Sequence, residues 1–315
     1  MKRTAGSWTI TIAAVLVAAC STNPTTGRKQ FNYLNRDQEI AMGIQATPEI
    51  TQQYGGQVKN PQVQQYISEI GHKLAATTEA NNPSLPWEFT LLDSDVINAF
   101  SLPGGKVFFS RGLAVKLQNE AQMAAVLGHE IGHVTARHIN DQMTHEAEVG
   151  TLANLAQSLL ESKAPGATAQ LAPQIIQLGG QSVLLRFSRT QETEADSLGL
   201  RYITKAGYNP EAMLGVMKVL EDSMQGGRTP EFFSTHPYPE TRIKDIMQAL
   251  NTTYAAVVKD PLKVLNQQQY QQRLLTPLTG HAQAPSAGAN LAFGDLGDPS
   301  LWCAECRREA ALRSR

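Results

Sequence analysis

The chain has 315 residues, 42% of them hydrophobic and 17% charged, enough to bury a sizeable core in one large domain or two small ones. Its 27 Lys and Arg nearly balance 28 Asp and Glu, and no basic block occurs. That balance gives no electrostatic reason to expect nucleic acid as a partner.

Residues 1–19 read as a signal peptide. Lys2 and Arg3 give a basic start, and the apolar run from Trp8 to Ala19 is shorter than the roughly 20 residues a spanning helix needs. The stretch VAAC, Val17 to Cys20, resembles a bacterial lipobox, which implies cleavage before Cys20 and acylation of that cysteine. Ser21 stands where Asp is the usual inner-membrane retention signal, so the expected destination is the outer membrane, facing the periplasm. Residues 20–35 then read as a polar tether.

A helical pattern begins near Asp37. The stretch NPQVQQYISEIGHKLAATTEA puts Val63, Tyr66, Ile67, Ile70 and Leu74 on one face of an amphipathic helix, with His72 read as structural. Two strand signals follow, Trp87 to Asp93 and Val96 to Ser110, the second broken by Leu102-Pro103-Gly104-Gly105. Pro at the second and Gly at the third turn position suit a type II turn, and a β-hairpin is expected. A helix should run from Asn119 to about Ile139, with Asn119 as N-cap and Gln122 as its capping-box partner. Residues 141–185 are rich in Ala, Gln and Leu and interrupted by Pro165 and Pro173, with no window of 18 uninterrupted apolar residues. A second helix covers Thr190 to Ala206, with Gly207 at its C-cap and Asn209-Pro210 starting the next. Residues 276–315 read as a low-complexity, disordered tail; Cys303 and Cys306 in WCAEC are too isolated to indicate a metal site. One α+β, predominantly helical domain over 36–275 is expected, with a small sheet before the helix that carries the chemistry.

That helix holds the stretch AAVLGHEIGHVTARH. His129 and His133 are one turn apart, so both imidazoles project from the same face and suit Zn²⁺. Glu130 lies about 100° round the helix, placed to take a proton from a water that the metal acidifies. H-E-x-x-H arises by chance in on the order of one chain in a hundred. Gly128 and Gly132 each cost roughly 0.8–1 kcal/mol against alanine in a helix interior; four apart, they would let another backbone approach the metal face. A catalytic zinc needs a third protein ligand and an open position. In SRTQETEAD, Glu192 and Asp196 share a helix face, and Glu194, about 200° from Glu192, points elsewhere. Glu192 is the third ligand, and Asp196 is its neighbour, placed to fix the tautomer of a zinc-bound histidine. His138 and His145 read as surface groups without the spacing to join the site. Strand Lys106 to Ser110, with Val107, Phe108 and Phe109, is a candidate to receive substrate as an added strand.

HEIGH, the later E-x-x-A-D helix and STHPYPETR together resemble the zinc metallopeptidase family of the heat-shock protease HtpX and the CAAX prenyl endopeptidases. NPTTGRKQF, NAFSLPGGKVFFSRGL and AGYNP resemble its soluble, periplasmic lipoprotein branch, and the likeness covers roughly residues 24–250. The resemblance implies a gluzincin-type zincin fold, one zinc on His129, His133 and Glu192, and Glu130 as general base. It also points to His236, which either covers the zinc as an extra ligand, stabilises the developing oxyanion, or simply forms a His-Pro turn; Arg242 is a weaker oxyanion candidate. The expected function is a zinc endopeptidase anchored through Cys20 that degrades misfolded or unassembled envelope proteins. Two alternatives are an outer-membrane protein assembly factor with restrained proteolysis and a lipoprotein with a structural zinc.

Overall fold

The computed structural model describes residues 20–79, 85–145, 186–224, 230–237 and 240–279. The signal peptide, Pro165 and Pro173, and the Cys303/Cys306 pair lie outside the described residues. Strands Cys20–Thr22 (β1) and Lys29–Phe31 (β2) pair antiparallel. Helix Arg36–Gln53 (α1) opens on an Asn35/Gln38 capping box. Helix Pro61–Ala75 (α2) has Asn60 as N-cap and buries the apolar face read from the sequence. The sheet follows, with Glu88–Leu92 (β3), Ala99–Leu102 (β4) and Lys106–Ser110 (β5) in the order β3-β5-β4. Then come Glu120–Ala136 (α3), Arg189–Lys205 (α4), Ala212–Met224 (α5), Glu240–Asn251 (α6) and short helical turns to Thr279. No described helix is long and apolar enough to cross a membrane.

The hairpin β4-β5 forms as the turn chemistry predicts, with Leu102 opposite Lys106. Gly104 (φ 78°) and Gly105 (φ 89°) both take the left-handed conformation that glycine adopts without a Cβ clash. The parallel pairing of β3 with β5, from Glu88↔Lys106 to Leu92↔Ser110, had no signal in the local sequence. It corrects the reading of Val107, Phe108 and Phe109 as a substrate strand. β5 is the central strand, hydrogen-bonded on both edges and buried along its whole length, so it has no edge to offer a peptide. The edge strand nearest α3 is β4.

Helix α3 is buried at all 17 positions and contacts α2, α4, α5, β4 and β5. Its start is held by polar groups that the core encloses. Asn119 accepts from the Gln122 amide, but the Gln122 side chain accepts from Gln118 N–H at 2.7 Å, so the reciprocal half of the expected capping box is not made. The Glu120 carboxylate accepts from Tyr66, Tyr208 and Asn266 at 2.5, 2.8 and 2.8 Å, which satisfies an otherwise costly buried charge. The helix ends at Ala136, earlier than Ile139, because Arg137 takes a left-handed conformation (φ 61°). Helical residues then resume at 138–145.

Residues 20–34 differ from the expected tether. Asn23 Nδ2 donates to Thr135 C=O at 3.1 Å and Gln30 Nε2 to Ala136 C=O at 2.9 Å, so the β1-β2 hairpin fills carbonyls left open where α3 ends. Arg137 Nη2 and Asn140 Nδ2 both donate to Leu34 C=O, and buried Glu39 accepts from the same two side chains. Polar residues that look like linker in one dimension here satisfy buried backbone groups in three.

The two glycines of α3 face α4. A Cβ on Gly132 would lie 3.0 Å from Ala195 O and 3.2 Å from its Cα, whereas one on Gly128 would first meet the Ile203 Cγ2 methyl at 3.2 Å. Gly132 therefore permits backbone contact that no side chain can yield to. Gly132→Ala is expected to lower unfolding stability by about 1–3 kcal/mol despite alanine's better helix propensity. Gly128→Ala should cost less, and urea denaturation of the two variants checks the order.

Candidate active site

Backbone contact between α3 and α4 brings His129, Glu130 and His133 on one helix against Glu192 and Asp196 on the other. The fourth contributor is His236, which follows the helical turn Phe232–Thr235. His129, His133, Glu192 and His236 present ligand atoms that all lie within 4.8 Å of one another, and each residue is at most 2% exposed. His129 Nε2 is 3.0 Å from His133 Nε2 and 3.3 Å from His236 Nδ1. Glu192 Oε1 is 2.9 Å from His236 Nδ1 and 3.5 Å from His133 Nε2. Ligand atoms on a tetrahedral Zn²⁺, at bonds of about 2.0–2.1 Å, are about 3.3 Å apart. Nitrogen and carboxylate donors at these separations, closed from solvent, fit one zinc ion.

The general-base candidate sits beside this centre. Ser101 Oγ, on β4, donates to Glu130 Oε2 at 3.0 Å. Glu130 Oε1 has no hydrogen-bond partner among the described residues and faces the equally unpartnered His236 Nε2 at 3.5 Å. One oxygen is thus pinned and the other left free beside the metal centre. Ser101 carries no motif signal in the sequence beyond its place in the strand preceding the glycine turn.

Around the ligands, one guanidinium serves two carboxylates. His129 Nδ1 is 2.9 Å from Asp196 Oδ1, the tautomer-fixing contact expected from helical phase. Arg242 donates through Nε to Asp196 Oδ2 at 2.6 Å and through Nη2 to Asp196 Oδ1 at 2.7 Å, and its Nη1 ion-pairs with Glu192 Oε2 at 2.5 Å. This corrects its reading as an oxyanion donor, because its fork is committed to the Glu192 carboxylate and to Asp196 behind His129. Burial opposes charge on Asp196, but the Arg242 guanidinium outweighs it and holds the carboxyl below its usual range. Burial likewise opposes charge on Glu192, which His236 and Arg242 hold well below the ordinary value. Burial drives the His133 imidazole well below its ordinary pKa, towards the neutral form that a ligand needs. At His236 burial also lowers the pKa, but Glu192 and Glu130 outweigh it and raise the pKa overall.

His138 departs from the surface reading. It is wholly buried, with Nδ1 2.9 Å from His133 Nδ1 and Nε2 2.9 Å from Glu194 Oε2. Glu194 does point away from the ligand cluster, as its helical phase predicted, but towards His138. His145 is exposed, as expected. The rings of the site are also stacked: Phe187 on His133 with centroids 3.8 Å apart, and Phe232 on His236 at 4.2 Å.

Removing Arg242 would leave two buried carboxylates without their counter-charge. Arg242→Leu is expected to destabilise the metal-free protein by about 3–5 kcal/mol. Denaturant unfolding in the presence of chelator measures this; a loss below about 1 kcal/mol would contradict the charge-matching role.

Residues 61–250, more than half of the chain, match the family model described as Peptidase family M48. The Beta-barrel assembly-enhancing protease of Escherichia coli (strain K12) is 30% identical over 257 residues, covering 79% of this chain and 51% of that protein. The Putative beta-barrel assembly-enhancing protease of Vibrio cholerae is 33% identical over 242 residues, 74% of this chain and 49% of that protein. The Mitochondrial metalloendopeptidase OMA1 of Schizosaccharomyces pombe is 32% identical over 231 residues, 72% and 65% of the two chains. The chain spans about half the length of the two bacterial relatives. With the family match running from the start of α2 almost to the end of α6, the chain belongs to peptidase family M48.

Proposed function

We propose that this protein is a zinc-dependent endopeptidase of the cell envelope whose site is held closed by His236. The observation that carries the reading is the convergence of His129, His133, Glu192 and His236 on one buried point, with a free oxygen of Glu130 beside it. His129, His133 and Glu192 are the catalytic ligands. Zinc, when bound, acts as a Lewis acid and lowers the pKa of water from about 15.7 towards 7. Glu130 Oε1 takes the proton from the water that adds to the peptide carbonyl, and Glu130 returns it to the departing amine as the C–N bond breaks. Ser101 keeps the carboxylate turned towards that water. The edge of β4, which carries Ser101, is the strand beside which an extended peptide aligns its backbone.

His236 is read as a plug. Its Nδ1 stands in the donor set and its Nε2 faces Glu130, so it covers both the position that substrate water needs and the base that activates it. The segment that holds it is tied down on several sides. Glu231 accepts from Tyr54 at 2.5 Å and Asn98 at 3.3 Å, Phe232 N–H donates to Ile97 C=O, and Phe187 N–H donates to Thr235 C=O. Turnover requires this segment to lift.

The substrates proposed are misfolded or unassembled envelope proteins. Support comes from the signal-like residues 1–19, the lipobox-like VAAC ending at Cys20 and the bacterial relatives named for β-barrel assembly. An acylated Cys20 would make it an outer-membrane lipoprotein facing the periplasm. The plug also suits the second reading, an assembly factor that cleaves rarely.

Glu130→Gln is expected to retain one zinc per chain and lose casein cleavage by at least about 10²-fold. Equal turnover in wild type and Glu130→Gln would refute the mechanism. His236→Ala should raise casein turnover several-fold over wild type, on the order of 1 kcal/mol of barrier. A fall instead would assign His236 to transition-state stabilisation. Zinc retained without cleavage in either wild type or His236→Ala would favour the assembly-factor reading.

A further inference from the structure

His133 is the ligand whose outer hydrogen bond runs to another histidine instead of a carboxylate, carbonyl or water. We propose that His138 is a positioning residue for the metal site: it holds the His133 imidazole in the tautomer that presents Nε2 to zinc, and Glu194 holds His138 in turn. The proposal rests on the reading of His133 as a zinc ligand.

The direction of each hydrogen bond follows from the two ends of the chain. Two imidazole nitrogens 2.9 Å apart need one N–H and one lone pair between them. His133 Nε2 faces the ligand cluster, 3.0 Å from His129 Nε2, so as a ligand it carries its proton on Nδ1. His138 Nδ1 must then accept, which places the proton of His138 on Nε2. Glu194 Oε2, 2.9 Å away, is a carboxylate oxygen and can only accept, so it enforces the same assignment from the outside. Arg28 Nη2 lies 2.9 Å from that oxygen and balances its charge, on the β1-β2 hairpin that also caps α3. Every donor and acceptor in the series is used, and none can be reversed without leaving two lone pairs or two protons facing each other.

Local backbone geometry makes the contact possible. On a continuous helix His138 would lie about 140° round from His133, facing elsewhere. The left-handed Arg137 breaks the helix and turns the next residue back, so that the two rings meet edge-to-face at 4.9 Å. Phe187, stacked on His133, closes another side of that ring. The two histidine ligands are therefore supported differently. His129 contacts the carboxylate of Asp196 directly, whereas His133 reaches Glu194 through one neutral imidazole.

Outer partners of zinc-bound histidines change metal affinity by 10- to 100-fold, on the order of magnitude seen when they are removed. His138→Leu is expected to weaken zinc binding by about 10- to 100-fold in chelator competition and to shift the visible d–d bands of the cobalt-substituted protein. His138→Asn, whose Oδ1 takes the place of the accepting Nδ1, should restore affinity to within about threefold of wild type. A His138→Leu protein with the wild-type circular dichroism and melt, zinc affinity and cobalt spectrum would overturn the proposal. If His138→Leu does not fold, Glu194→Leu, at the partly exposed outer end, decides in its place. A loss of about 10-fold in zinc affinity supports the series, and wild-type affinity with an unchanged cobalt spectrum refutes it. Failure of the underlying ligand reading looks different: His133→Ala would bind zinc as tightly as wild type.

Discussion

Three carboxylates and one guanidinium are buried within a few ångströms of each other at this site, and everything round them exists to make that tolerable. Glu130, Glu192 and Asp196 against Arg242 leave two negative charges uncompensated when the imidazoles are neutral. Burying unmatched charge costs several kcal/mol per ion, so the enclosure is stable only with a further source of positive charge. A divalent cation supplies that amount. Without metal, Glu192 and Glu130 raise the pKa of His236 against the effect of burial, favouring its charged form. His236 and a metal ion thus answer the same electrostatic demand.

The same demand explains which parts of the site were readable in sequence. Helical phase is a local property, so the placement of His129, Glu130 and His133 on α3, and of Glu192 and Asp196 on a second helix, could be read from spacing alone. His138 could not. The inference that i and i+5 face apart assumes an unbroken helix, and nothing about an arginine at 137 announces a left-handed residue. Arg242 was legible as a charged residue near the site but not in its role, because which partner a guanidinium takes depends on the packing of α6. The fold followed the same rule. The Asn119 cap of α3, the face of α2 and the glycine turn followed from nearest neighbours, whereas the parallel β3-β5 pairing, and with it the rejection of β5 as a docking edge, depends on contacts the local pattern does not encode.

Enclosure by aromatic rings gives the site its second property. Phe187 and Phe232 stack on His133 and His236, and the main chains that carry them are joined by the Phe187–Thr235 hydrogen bond. The segment bearing His236 is a single helical turn held at both ends, by Tyr54, Asn98 and Ile97 on one side and Phe187 on the other.

The hairpin at the start of the described chain bears on mechanics. Fifteen free residues would reach roughly 50 Å and absorb any displacement of the end that is held. Instead, two side-chain amides fasten residues 20–31 to the last carbonyls of α3, and Arg28 reaches the outer link of the His133 series. Slack is replaced by a stiff joint. A displacement of residues 20–31 is therefore felt first at the end of the helix that carries His129 and His133.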